Sequence, residues 1–164
     1  MSQLQHYHSL AKDLMVQDPA AYEYLEEEIN IIIHKLKFIP QENRPRVNLI
    51  VQNQANIDTS YITELLSVAG AQVQEQTQEQ MQEDIVLFIN DSDSFLNEIP
   101  KWLGQQVQIS NAVANNQIYV IQKPQFAQIR ENFLVDTEIL AEIIQSKYFH
   151  YGHEGQYWIK FDLL

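Results

Sequence analysis

Five consecutive apolar residues, Ile85-Val-Leu-Phe-Ile89, constrain the fold of this chain more than any other feature. Successive side chains of a strand point to opposite faces, so a run with no polar position has no face to turn toward water. The run is too short for a helix. It is followed by Asn90-Asp-Ser-Asp-Ser94, a cluster of turn formers and helix N-caps. It predicts a central strand covered on both sides. Val47-Asn-Leu-Ile-Val51 and Ile118-Tyr-Val-Ile121 read as its shorter companions.

Helical periodicity fills the spaces between these runs. Gln3 to Val16 is loosely helical, and Asp18-Pro19 offers an N-cap followed by proline at the first helical position. In the helix that starts there, Tyr22, Leu25, Ile29, Ile32 and Leu36 recur at spacings of three and four, one stripe facing a core. Pro40 and Pro45 end it. Asp58 or Thr59 caps a helix that buries Ile62, Leu65, Leu66 and Ala69 and stops at Gly70. The glutamine-rich stretch 72–82 allows a short edge strand at most. Further helices are expected around Phe95 to Leu103, interrupted near Pro100, and from about Asn132 to Ser146, with Ile139, Leu140, Ile143 and Ile144 on one side. Strands alternating with helices predict an α/β fold, a three-layer α/β/α sandwich with a mainly parallel sheet.

Composition narrows the function. At 164 residues, 45% apolar and 20% charged, the chain is a globular domain able to bury a sizeable core. A formal charge of −12 argues against nucleic acid, whose phosphates require Lys and Arg. The glutamates at Glu26-Glu27-Glu28 read as a solvated helix face. There is no cysteine, hence no disulfide or thiol chemistry. No apolar run reaches the roughly 18 residues of a membrane span. The N-terminal residues lack a secretory pattern, which gives a cytoplasmic expectation, or a periplasmic one for a trimmed chain.

Two segments carry a resemblance: Asn111-Ala-Val-Ala-Asn-Asn-Gln-Ile-Tyr-Val-Ile-Gln-Lys-Pro124, and the run from Arg130 to Phe149 containing Glu138-Ile-Leu-Ala-Glu-Ile-Ile144. Upstream, Arg44-Pro-Arg-Val-Asn-Leu-Ile-Val51, Thr63-Glu-Leu-Leu-Ser-Val-Ala-Gly70, Thr77-Gln-Glu-Gln-Met81 and Asp84-Ile-Val-Leu87 follow in matching order. Together they resemble the C-terminal lobe of the helical-backbone substrate-binding proteins that hand siderophores, haem and cobalamin to ABC importers. The resemblance implies a Rossmann-like single lobe over residues 41–149, with residues 1–40 as helices packed on it and 150–164 as an aromatic tail. It also implies a non-catalytic module that binds a metal complex such as cobalamin, haem or a ferric siderophore, with no required cofactor. The family has two lobes and this chain has room for one. A missing first-lobe partner, or a homodimer formed through the uncovered ligand face or the tail, would make up the difference.

Ligands of open α/β sheets collect beyond the carboxyl ends of the strands. That rule nominates Gln52, Asn53 and Gln54, then Asn90, Asp91 and Ser92, then Gln125 and Phe126 as ligand-binding residues. The family resemblance adds Arg130, either on an anionic ligand group or as an anchor for a carboxylate of the fold. These loops offer amides, hydroxyls and one aromatic ring, and no evident nucleophile or base. His150 and His153, with Glu154, are weak metal candidates, being three ligands in one turn. No Gly-x-Ser-x-Gly, phosphate-binding glycine loop or His-Glu-x-x-His occurs, so an enzyme is not expected. A protein-interaction or oligomerisation module that has lost ligand binding is the alternative. The tail alternates at Gln156 to Asp162, as an added strand would.

Overall fold

The computed structural model describes residues 4–51, 57–72, 83–89, 95–104 and 111–162. In chain order it holds α1 (Gln5–Gln17), α2 (Pro19–Leu36), β1 (Val47–Val51), α3 (Thr59–Val68), β2 (Ile85–Ile89), α4 (Phe95–Gly104), the short α5 (Asn111–Ala114), β3 (Ile118–Ile121), α6 (Phe133–Ile144) and β4 (Trp158–Lys160). The four strands form one sheet in the order β1-β2-β3-β4, the first three parallel and β4 antiparallel to β3. Loop residues 52–56 and 90–94 and the suggested edge strand within 73–82 lie outside the described residues.

The central strands β2 and β3 are buried on both sides, as their sequences require. Ile85, Leu87 and Ile89 point into a large core shared with α1, α2, α3 and α6. Val86 and Phe88 point the other way, onto Ile99, Ala112, Ile118 and Val120, with Trp102 and Leu103 of α4 beside them. Every residue of β2 is buried. Relative to exposure, each such Val, Leu, Ile or Phe contributes about 1.5–3 kcal/mol through the water it sheds. The arrangement is the expected three-layer α/β/α sandwich.

Local chemistry sets the element ends. Asp58 Oδ1 accepts from the backbone N–H of Ser60 at 2.9 Å, capping α3. At the other end Gly70 has φ +97°, a conformation that only glycine adopts without strain. There the Ala71 N–H reaches Leu66 O and the Gly70 N–H reaches Ser67 O, a Schellman closure. A Cβ at Gly70 would lie 2.8 Å from Gln145 Cγ, whose amide donates to Gly70 O at 3.0 Å. Helix α1 has no capping side chain of its own at Leu4. Glu64 of α3 substitutes, accepting from the N–H groups of His6 at 3.1 Å and Tyr7 at 2.7 Å.

The aromatic tail packs back onto the sheet. Residues 158–160 pair with 119–121, and the Trp158 ring stands edge-on to Tyr119 with centroids 5.7 Å apart. The buried carboxylate of Glu142 in α6 holds the turn before this strand. It accepts from the backbone N–H groups of Tyr151 (2.7 Å), Gly152 (3.0 Å) and His153 (3.1 Å) and from Trp158 Nε1 (3.2 Å). Burial pushes the Glu142 carboxyl up, but these hydrogen bonds outweigh it and hold the group below its ordinary value. A lowered native pKa stabilises the fold above the unfolded-state value of 4.5, and the contribution is lost as pH falls through the native value. Glu142→Gln, which sets an amide N–H₂ against these donors, should cost about 2 kcal/mol or more. Trp158 emission in a urea titration at neutral pH checks this, and the difference from the parent should shrink in acid.

Candidate functional site

The carboxyl ends of β1, β2 and β3 lead to the N-terminus of α3, to residues 90–94, and to the segment Gln122–Ile129 before α6. Helix α1 flanks this end. Its Tyr7 ring meets Phe133, at the start of α6, at 5.5 Å, and Phe133 in turn meets Tyr61 in the first turn of α3 at 6.0 Å. Tyr7 Oη donates to Glu26 Oε2 of α2 at 2.6 Å, so α1 and α2 are tied to each other as well. Burial, then Glu26, raises the Tyr7 phenol well above its usual value and keeps it a donor.

Of the nominated residues, Gln52, Asn53, Gln54, Asn90, Asp91 and Ser92 lie outside the described residues. Gln125 stands at the strand-end turn with φ +57°. Phe126 does not offer a ring to a ligand. It is 1% exposed and belongs to the larger core, because the turn after β3 folds it under α6. Arg130 is engaged by the fold: Nη1 lies 2.7 Å from Asp13 Oδ2 and donates to Ser9 Oγ at 3.1 Å, and Nη2 lies 3.6 Å from Glu131. Both its contacts with α1 lock that helix against the turn opening α6. His153 Nε2 lies 3.1 Å from Glu138 Oε1, while its backbone N–H serves Glu142. Among the described residues no group of three His, Asp or Glu converges for a metal, so His150 and His153 form no such site there.

Among the described residues, sequence reasoning missed the polar groups in the turn after β3 and at the start of α3. Lys123, two residues past β3, places Nζ 3.2 Å from Asp136 Oδ1; the two side chains are 10% and 0% exposed. That contact is ionic rather than a well-directed hydrogen bond. Asp136 Oδ2 accepts from the Ala127 N–H at 3.0 Å. The pair therefore fixes the 123–127 turn on α6. A signal was present: Asp136 falls on the buried stripe of α6 with Phe133 and Leu140, where an aspartate requires a partner. Near the end of β1, His6 Nε2 lies 2.9 Å from Ser60 Oγ, a Ser–His contact of the kind that activates nucleophiles. Here the Ser60 hydroxyl donates to Asp58 Oδ1 at 2.8 Å, so the histidine N–H is left to donate to Ser60. Asp58 is held below the usual carboxylate range by the Ser60 hydroxyl and amide. The group caps a helix and does not extract a proton from the serine.

At the opposite end of the strands an open polar cleft is lined by Glu42, Asn43, Arg44, Pro45, Arg46, Gln72 and Asp84. Its cations are already committed to the fold. Arg44 donates to Leu36 O at 3.0 Å and Ile39 O at 3.1 Å, ending α2, and Arg46 pairs with Asp84 at 3.4 Å.

Burial raises the Asp136 carboxyl, and Lys123 and the Ala127 amide offset this only in part. With the native pKa above the unfolded one, stability falls as pH rises from 3.8 through the native value. Lys123→Met should destabilise by about 3–5 kcal/mol at pH 7 by leaving a buried carboxylate unpaired. It should also steepen the fall with pH, while adding Asp136→Asn restores much of the loss. Denaturant unfolding at pH 5 and 8 tests both statements.

No protein-family model and no curated protein matches this sequence. Solved structures do match. An ABC transporter solute-binding protein from Sulfurospirillum deleyianum DSM 6946 superposes with a TM-score of 0.53 at 18% identity, over 90% of this chain and 53% of that one. An ABC transporter substrate-binding protein from Listeria monocytogenes EGD-e gives 0.62 at 14% identity, over 87% and 63%. S. aureus IsdE, solved in complex with haem, gives 0.60 at 18% identity, over 86% and 63%. The chain thus spans between about half and two thirds of the length of these proteins. It has the fold of part of an ABC-transporter substrate-binding protein.

Proposed function

We propose that this chain is a non-catalytic small-molecule binding module that takes a metal complex such as haem, cobalamin or a ferric siderophore. The observation that carries this reading is the match of nearly the whole chain to part of several transport-associated binding proteins, one of them crystallised with haem.

In this reading the ligand-binding residues are Gln52, Asn53 and Gln54, which follow β1 in sequence, Asn90, Asp91 and Ser92, which follow β2, and Gln125 in the turn after β3. The Lys123–Asp136 pair and the Ala127 amide hold the turn that carries Gln125. Arg130, occupied by Asp13, acts as a positioning residue for α1 rather than as the anion contact. Phe126 packs into the larger core next to Gln125.

Titration with haem, cobalamin and a ferric siderophore, followed by visible spectra and by the fluorescence of Trp102 and Trp158, tests the proposal. One ligand should saturate at micromolar or tighter affinity, about 8 kcal/mol of binding free energy. Asn53→Ala combined with Asn90→Ala should weaken that binding at least tenfold without lowering thermal stability. Unchanged affinity would move the site elsewhere, and no saturable binding by any of the three would overturn the reading.

A further inference from the structure

Helix α2 buries Leu25, Ile29, Ile32 and Leu36 against the core. It carries a second apolar line on its outer side. Tyr24, Ile31 and Phe38 are 59%, 41% and 81% exposed and stand seven residues apart. Phe38 lies just past the helix, after Lys37, whose backbone is still helical and whose Nζ sits 4.9 Å from the Phe38 ring. Seven residues bring a helix back to within about 20° of the same direction. The three side chains therefore form one row, roughly 21 Å long at about 1.5 Å per residue.

The charges beside this row are divided along the helix. Glu23, Glu27 and Glu28 occupy the first half, and His34, Lys35 and Lys37 the end. Acidic-first and basic-last suits the helix dipole. The dipole gives no reason for three large apolar residues at heptad spacing on the exposed side.

We propose that this face joins two copies of the chain, with their α2 helices packed antiparallel about a two-fold axis at Ile31. The symmetry sets Ile31 against its own copy and Tyr24 beside the second copy's Phe38. Glu27 falls opposite His34 and Glu28 opposite Lys35, so the acidic half of each helix meets the basic half of the other. Parallel pairing would set glutamate against glutamate, and charge therefore selects the antiparallel arrangement. Tyr148, 47% exposed, extends the apolar rim on the side where Lys35 Nζ donates to the Tyr148 carbonyl at 3.2 Å. One helix face and a rim make a small interface, of the reversible class. The inference does not depend on the ligand reading.

Sedimentation equilibrium from about 1 to 200 µM tests it, and should show a monomer–dimer exchange with a micromolar midpoint. Ile31→Glu should move the midpoint at least tenfold higher while circular dichroism and melting temperature stay those of the parent. Glu27→Lys/Glu28→Lys and His34→Glu/Lys35→Glu should each weaken self-association, and an equimolar mixture of the two should pair again, because every charge contact is then complementary. A monomer throughout this range would overturn the proposal, leaving the row for a different partner. So would a dimer indifferent to Ile31→Glu, or a failure of the mixed variants to pair.

Discussion

The architecture depends on a strand that cannot face water. With all five residues of β2 buried, the sheet requires cover on both sides, and the chain supplies it unequally. Helices α1, α2, α3 and α6 build the larger core on one side. On the other, Ile99, Trp102 and Leu103 of α4, with Ala112 and Val113 of α5, complete a smaller one. The elements ahead of β1 are thus structural parts of this lobe: Tyr7, Leu10 and Ala11 of α1 share the larger core with Phe133 and Leu140.

Buried carboxylates hold the peripheral pieces to that frame. Glu64 receives the first N–H groups of α1, Asp136 receives the turn after β3, and Glu142 receives the turn before β4. In each case an acidic side chain on a core helix accepts backbone donors that have no partner in their own segment. These bonds satisfy donors that would otherwise be buried unpaired, beside the apolar residues with which the same segments enter the core.

Much of this was legible in the sequence, for reasons that can be named. Periodicity located β1, β2, β3, α2, α3 and α6, because burial on two faces or one stripe leaves a pattern that local composition cannot disguise; α4 instead runs on through Pro100, where an interruption was expected, and the single turn of α5 is too short to leave a period. Asp18, Asp58 and Gly70 marked element ends through chemistry confined to a few neighbours. The tail strand was readable from the alternation at 156–162. Phe126 was misjudged as a ligand-facing ring because nothing local says that the turn after β3 folds beneath α6. The pairings of Glu64 with α1, separated by 57 residues, and of Arg130 with Ser9, separated by 121, are set by tertiary contact and have no signature in spacing.

The tail has a further consequence for how the molecule meets others. β4 is a three-residue edge strand that ends at an exposed Lys160, and the chain leaves it at once. A strand so short presents few free backbone groups, and a charge at its rim disfavours a newcomer's pairing. By adding this piece to an otherwise parallel sheet, the protein closes the β3 side to strand-by-strand growth. On that side association is left to surfaces made of side chains, where partner choice can be specific.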